Sequence, residues 1–262
     1  MAARVEDEVR VDKRANAVVL TLFRPEHGNA LTTSLVDVLA DCVESAVAEG
    51  ARAIVLTGMP PFFCTGGDLA HLKGVAEHGA RAVTDMIYLH FHRLLRAIAD
   101  APIPVIAAVN GPAVGAGLDL AALCDLRIAS HEATFGSSWI NAGLIPGMGG
   151  AIWLTGLVGG SRAAQLILTG QTIDAITAER WNLVNEIVAP RDLLTRSLEL
   201  AAELSSLPPI GLAESKAALR RALAAAVTSE LATVGAVQGG LLTESIRTGP
   251  LSLDPPTDVV FC

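Results

Sequence analysis

Two stretches of this 262-residue chain combine small residues with a carboxylate in a way that suits chemistry on a carbonyl oxygen. The first is Asn110-Gly111-Pro112-Ala113-Val114-Gly115-Ala116-Gly117-Leu118-Asp119. It follows an apolar run over residues 104–109 that reads as a buried strand, and it leads into residues 120–124, which read as the first turns of a buried helix. A strand that breaks into small residues and restarts as a helix leaves backbone N–H groups free at the helix N-terminus. Negative charge developing on oxygen is stabilised there. Asp119 falls on the first turn, so a carboxylate lies beside the anion-binding peptide. Upstream, residues 52–57 read as a second buried strand, and Gly66-Gly67 stand before Asp68, a residue suited to starting a helix. One strand–glycine–helix turn is commonplace. Two in one chain can aim two N–H groups at one oxygen, which fits enolate chemistry better than phosphate binding.

The elements that must position these residues alternate between strand and helix. Residues 17–23 read as a strand. Thr32 is placed to cap a helix through Glu49, with Leu35, Leu39, Cys42, Val43, Ala46 and Val47 on one face and Gly50 ending it. Residues 80–100 have helical spacing at Val83, Ile87, Leu94, Leu95 and Ile98, and residues 126–129 and 184–188 read as short strands. Such alternation predicts an α/β fold. From residue 191 the pattern is helical, over 193–207 and then 210–247 with an expected break at Gly239-Gly240. Asn182 is suited to a left-handed helix end.

Several segments in order resemble the crotonase, or enoyl-CoA hydratase/isomerase, superfamily between about residues 18 and 189. Arg24-Pro-Glu-His-Gly-Asn-Ala-Leu-Thr32 is similar to the family motif that approaches the adenine of coenzyme A. Phe63-Cys-Thr-Gly-Gly-Asp-Leu69 and residues 110–125 resemble the two oxyanion-hole loops. Residues 135–150 resemble the segment that carries a catalytic side chain, and residues 168–170 and 178–184 match later landmarks. The resemblance implies a crotonase-like α/β spiral of repeated ββα units over residues 1–190. A helical C-terminal region, residues 191–262, is implied to build a homotrimer or a homohexamer made of two trimers. It further implies an acyl-CoA substrate, with coenzyme A entering only as part of the thioester and no permanently bound cofactor. The implied oxyanion donors are the N–H groups of Gly67 and Ala116, with Asp119 as the catalytic carboxylate. Coenzyme A contacts are implied near Arg24, Ala30, Leu31, Cys64, Gly66, Asp68, Leu69 and Gly115, and an acyl pocket near Trp139, Ile140 and Gly143. Arg24 reads equally as a solvated charge at a strand end, and Asp68 more as a helix cap than as a catalyst.

The chain departs from the family's hydratases at the acid–base positions. Of their two glutamates the first aligns with Asp119 and the second with Trp139, which transfers no proton at neutral pH. A further acidic position of some relatives falls at Gly147 or Met148. Adding water to a double bond normally uses both groups, whereas one carboxylate suffices to move a proton between carbons and can also assist decarboxylation or thioester hydrolysis. The expectation is therefore an enzyme favouring isomerase-type proton transfer over hydration. The alternative is a non-catalytic acyl-CoA-binding protein in which Asp119 merely favours the helix dipole. Ala116, where the family usually has glycine, is tolerable if its φ is negative.

Composition sets the remaining bounds. Apolar residues make up 51% of the chain and aromatics 4%, so the core must be aliphatic. The net charge of −8, with no long lysine–arginine run, argues against nucleic acid as a partner. Cys42, Cys64, Cys124 and Cys262 form no CxxC pair and read as reduced thiols. Residues 1–14 are charged and carry no secretory pattern, and the apolar runs are too short to span a bilayer, so a soluble cytoplasmic protein is expected. The six histidines show no metal-ligand spacing. Dinucleotide, P-loop and nucleophile-elbow motifs are absent.

Overall fold

The computed structural model describes residues 8–248; Cys262, the tail from Gly249 and residues 1–7 lie outside the described residues. The strands are β1 (Val9–Arg14), β2 (Ala17–Leu22), β3 (Ala53–Gly58), β4 (Val105–Val109), β5 (Ala113–Val114), β6 (Leu126–Ser130), β7 (Thr134–Gly136), β8 (Thr172–Asp174) and β9 (Glu186–Val188). The helices are α1 (Thr33–Ala48), α2 (Leu69–Ala76), α3 (Ala80–Met86), α4 (His92–Ala99), α5 (Ala116–Leu123), α6 (Gly150–Val158), α7 (Gly160–Thr169), α8 (Ala175–Arg180), α9 (Leu193–Ser205) and α10 (Pro209–Thr248).

One sheet runs β1-β2-β3-β4-β6-β9, and a second runs β5-β7-β8. From β2 to β9 the large sheet is parallel, and β1 closes its edge as an antiparallel hairpin strand. Parallel strands are covered on both faces, which is why β3 and β4 read as unbroken apolar runs. Side chains alternate between two cores. Leu20, Ile54, Leu56, Ala107 and Val109 enter the main core with α1 and α5. Val19, Val55, Ile106, Ala108 and Ile128 face Leu193 and Ala201 of α9. After β4 and β6 the chain crosses to the small sheet as β5 and β7 before returning as a helix. That repetition of two strands and a helix is the α/β spiral expected from the sequence.

Local chemistry fixes where the helices begin. Thr32 Oγ1 accepts from the Leu35 N–H at 3.1 Å and starts α1. Asp68 Oδ1 accepts from the His71 N–H at 3.0 Å and starts α2, as its cap reading anticipated. The expected helix over residues 80–100 is present, but it is widened by a π-helical turn at Ile87–Phe91 between α3 and α4. Asn182 takes the left-handed conformation with φ 65°.

Two sequence readings need correction, and one strand went unread. Gly239-Gly240 does not break α10, which runs on to Thr248. A Cβ on Gly239 would lie 2.6 Å from Thr84 Oγ1, so this glycine permits the close crossing of α10 over α3. The strand expected at residues 184–188 begins only at Glu186. The charged N-terminal stretch contains β1, whose residues after Val9 are exposed; its single buried side chain left no alternating pattern to read. Among the described residues no helix is long and apolar enough to cross a membrane.

Two asparagines tie down the loop between β3 and α2. Asn29, fully buried with φ 54°, donates from Nδ2 to the carbonyls of Met59 (2.9 Å) and Phe62 (2.8 Å). Asn110 Oδ1 accepts from the Gly58 N–H at 3.1 Å, and its Nδ2 donates to Phe62 O at 3.1 Å. The loop then passes so close to α5 that a Cβ on Gly117 would overlap the Cys64 carbonyl oxygen. Gly211, in the first turn of α10, has nothing within 4 Å of its Cβ position. Gly117→Ala should therefore destabilise the fold by about 1–3 kcal/mol, as overpacking does, whereas Gly211→Ala should be neutral or slightly stabilising. Thermal melts of the two variants check this, and equal melting temperatures would contradict the close approach.

Candidate active site

The two glycine-rich loops meet. Leu31 N–H donates to Gly66 O at 2.7 Å and Asp68 N–H to Leu31 O at 2.9 Å, which fixes Gly67 between them. Cys64 N–H donates to Pro112 O at 3.1 Å and Val114 N–H to Cys64 O at 2.9 Å, zipping the first loop to the second. Gly66 has φ 110°, and its Cβ position lies 3.5 Å from the Ala116 nitrogen. Gly115 takes φ 54° and ψ −121°, a conformation that favours glycine, and it turns the chain into α5. Ala116 is the first residue of α5 and is not among the residues with positive φ, so its methyl is accommodated. Neither the Gly67 nor the Ala116 N–H donates in the backbone network among the described residues. The first N–H groups of a helix have no partner within it. Two free donors on adjoining loops can serve one oxyanion.

Asp119, in the first turn of α5, is fully buried. The Met148 N–H donates to its Oδ2 at 3.4 Å, while Oδ1 has no hydrogen-bond partner among the described residues. Burial raises its pKa to about 7, against the opposing pull of the Met148 N–H and the nearby Trp139 indole. Trp139 Nε1 is itself buried and makes no bond of normal geometry, so carboxylate and indole face each other without a formal hydrogen bond. Gly150 is pressed against the carboxyl group; a Cβ there would overlap Asp119 Oδ1. A carboxyl group with one open lone pair and a pKa near neutrality can both take and return a proton at physiological pH.

A narrow cavity of about 20 Å³ is bounded by Gly67, by Trp139 and Met148, which flank Asp119, and by Gly147, together with side chains from α2, α3, the π turn and α10; Ala116 and Asp119 do not line it. It has room for about one water molecule. A larger cavity of about 870 Å³ lies between α4 and α10, lined by none of Gly67, Ala116 and Asp119. Buried His92 borders it, and burial together with Arg96 lowers that imidazole's pKa to about 4.

The remaining residues proposed from sequence divide in two. Ala30, Leu31, Cys64, Gly66 and Gly115 form the backbone around the donors. The Cys64 thiol is buried, and its pKa is pushed up to about 12. Ile140 and Gly143 are exposed and lie outside the small cavity; only Trp139 of that trio reaches it. Leu69 starts α2 and is partly exposed. The Arg24 guanidinium is already engaged, donating to Ala30 O at 2.6 Å and Asp68 Oδ2 at 3.2 Å and lying 3.3 Å from Glu8. It braces the first loop. Sequence reasoning missed the Met148 N–H, which lies in no glycine-rich loop motif, and Gln238, which lines the small cavity from 119 positions beyond Asp119.

The sequence pattern of the enoyl-CoA hydratase/isomerase family matches residues 12–250. A probable enoyl-CoA hydratase of Mycobacterium leprae is 36% identical over 216 residues, covering 82% of each chain. The 2,3-dehydroadipyl-CoA hydratase of Escherichia coli is 36% identical over 227 residues, covering 86% of each. Among solved structures, an enoyl-CoA hydratase from Mycobacterium avium subsp. paratuberculosis superposes with a TM-score of 0.81 at 28% identity, over 90% of this chain and 93% of that one. A monofunctional enoyl-CoA isomerase from Mycobacterium smegmatis gives 0.71 at 30% identity, over 87% and 99%. With relatives of this extent and a family pattern that matches residues 12–250, the chain belongs to the enoyl-CoA hydratase/isomerase family of enzymes.

Proposed function

We propose that the protein processes an acyl-CoA thioester through an enolate, with Asp119 as its acid–base group and proton transfer between carbons favoured over hydration. The observation that carries this is the buried Asp119 carboxyl with Oδ1 open and a pKa of about 7, facing Trp139 where a second acid would stand. The thioester oxygen sits between the Gly67 and Ala116 N–H groups. For a 3-enoyl thioester, the Asp119 carboxylate takes an α-proton, and the electron pair delocalises onto the oxygen held by the two donors. The neutral carboxylic acid then returns the proton to the γ-carbon, leaving the 2-enoyl thioester. Each donor in such a hole is worth roughly 3–4 kcal/mol of barrier. Coenzyme A serves as the handle of the substrate, with its near end along the backbone of residues 30–31 and 64–68. We further propose a cytoplasmic homotrimer or homohexamer built with the C-terminal helices. Ile210 and Leu219 of α10 are each more than 70% exposed and suit burial between subunits. A monodisperse monomer in light scattering would contradict that assembly.

A panel of 2-enoyl and 3-enoyl thioesters, read by double-bond position and mass, tests the reaction. The expected outcome is double-bond migration faster than water addition. Efficient hydration of a simple 2-enoyl thioester would overturn the preference, and binding without turnover of any member would make the protein an acyl-CoA binder. Asp119→Asn should abolish turnover and leave thioester affinity nearly intact; undiminished turnover would remove Asp119 from the mechanism.

Two further measurements follow from the same site. Ala116 stands at the first helical position, where proline is tolerated. Ala116→Pro should therefore fold, lose one donor and lose about 10²–10³ in kcat. A folded variant with parental kcat would displace the donor assignment. The Asp119 pKa carries a pH signature. Because the base is the ionised form, kcat/KM should rise with pH and level off above about 7. The folded pKa lies above the unfolded one, so stability falls as pH rises between about 4 and 7, by up to about 4 kcal/mol. Asp119→Asn cannot ionise and should melt higher than the parent at about pH 8, with no such advantage at about pH 4. The reverse order would contradict an uncompensated buried carboxylate.

A further inference from the structure

The Asp119 carboxyl is placed by main chain. Its Oδ2 accepts from the Met148 N–H at 3.4 Å, and Gly150 abuts Oδ1 with no Cβ between them. Both contacts come from the turn that leads into α6, so whatever fixes that turn also fixes the surroundings of the carboxyl. The side chain that bonds the turn is Trp153, buried in the first turn of α6. Its backbone N–H donates to Gly149 O at 3.1 Å, and its indole Nε1–H donates to Met148 O at 3.0 Å. Among the described residues no backbone N–H donates to that carbonyl. The indole packs so closely that a Cβ on Gly149, which has φ 75°, would lie 3.0 Å from Nε1.

The indole is itself held. The Arg220 guanidinium of α10 lies 5.3 Å from the Trp153 ring centroid, and it donates to Leu123 O at 2.6 Å, at the end of the helix that carries Asp119. No charged side chain contributes to the Asp119 shift, which comes from burial, the Met148 N–H and the Trp139 indole. The larger cavity that Trp153 borders also carries Arg96, Asp100, Glu214, Lys216 and Arg221. Its His92 is held at about 4 by burial and Arg96, so the imidazole titrates well below Asp119. Without the Nε1–H, the Met148 carbonyl would be buried with no donor, a cost that the turn relieves by moving. The Met148 N–H contact, already long, is the first to open. A carboxylate that loses its backbone donor keeps its proton to higher pH.

We propose that Trp153 is a positioning residue for the acid–base step: by holding the Met148 carbonyl, its indole sets the peptide between Gly147 and Met148 against the Asp119 carboxyl. This rests on the reading of Asp119 as the acid–base group. Ionisation of Asp119 is read without substrate, from the carboxyl carbon resonance that is missing in Asp119→Asn. Trp153→Phe removes the indole donor. Replacing the indole by its benzothiophene isostere puts sulfur in place of the N–H and keeps the shape. Either change should move the midpoint upward from about 7 by about 0.5–1 pH unit. The kcat/KM profile for 3-hexenoyl-CoA should move with it, while KM changes by less than about twofold. A merely structural role would lower the melting temperature and leave the midpoint in place, so an unshifted midpoint in either folded variant would overturn the proposal. In the parent the Trp153 indole N–H resonance should titrate with the same midpoint, and an indole indifferent to pH around 7 would overturn the proposal even if neither variant folds. If kcat/KM in the parent does not follow the carboxyl midpoint, the acid–base reading of Asp119 has failed, an outcome distinct from an unshifted carboxyl.

Discussion

A carboxyl group fully buried with one weak backbone donor is the constraint around which this molecule is arranged. Isolating a charge from water is costly, and the group responds by holding its proton to near neutrality. The surroundings that achieve this are specific. Gly150 admits the carboxyl because it has no Cβ, Met148 offers one N–H at 3.4 Å, and the Trp139 indole closes the remaining side. A second hydrogen-bond donor at Oδ1 would pull the pKa down. Enclosure and incomplete satisfaction act together to hold the proton.

The free N–H groups of the two glycine-rich loops depend on a different principle. Gly67 and Ala116 offer backbone N–H groups, so their positions are set by whatever holds the two loops together. Asn29 and Asn110 bind the first loop from both sides, and the Arg24 guanidinium fastens it to residues 30 and 68. The resemblance implied a coenzyme A contact near Arg24, which reads equally as a solvated charge at a strand end. In the fold its guanidinium pairs with Asp68 and Glu8.

Much of this was legible in the sequence because it rests on short-range rules. The apolar runs of β3 and β4, the Thr32 and Asp68 caps and the glycines at the two loops each state their structure within a few residues. What could not be read depends on distance or on the main chain. β5, β7 and β8 are too short to show a pattern, and their pairing is settled only when the turns of the spiral stack. Gly239-Gly240 looked like a helix break because isolated glycine weakens a helix; the crossing on α3 compensates. Ile140 and Gly143 lay close to Trp139 in sequence, yet the 3-10 turn that buries Trp139 turns them outward.

The anchoring of α10 also has a mechanical side. Near its start Lys216 sits 2.8 Å from Asp125 and donates to the Ile98 and Ile103 carbonyls, and Arg220 pairs with the same carboxylate at 2.9 Å. At 1.5 Å per residue, Gln238 stands about 33 Å further along an unbroken rod. A tilt of about 5° at the anchor would sweep the far point by about 3 Å on that same rise per residue, more than the width of a water molecule. Between those two points the Thr84 and Tyr88 hydroxyls bond the Gly235 and Ala232 carbonyls, so the rod is held against such a tilt well before it reaches the small cavity.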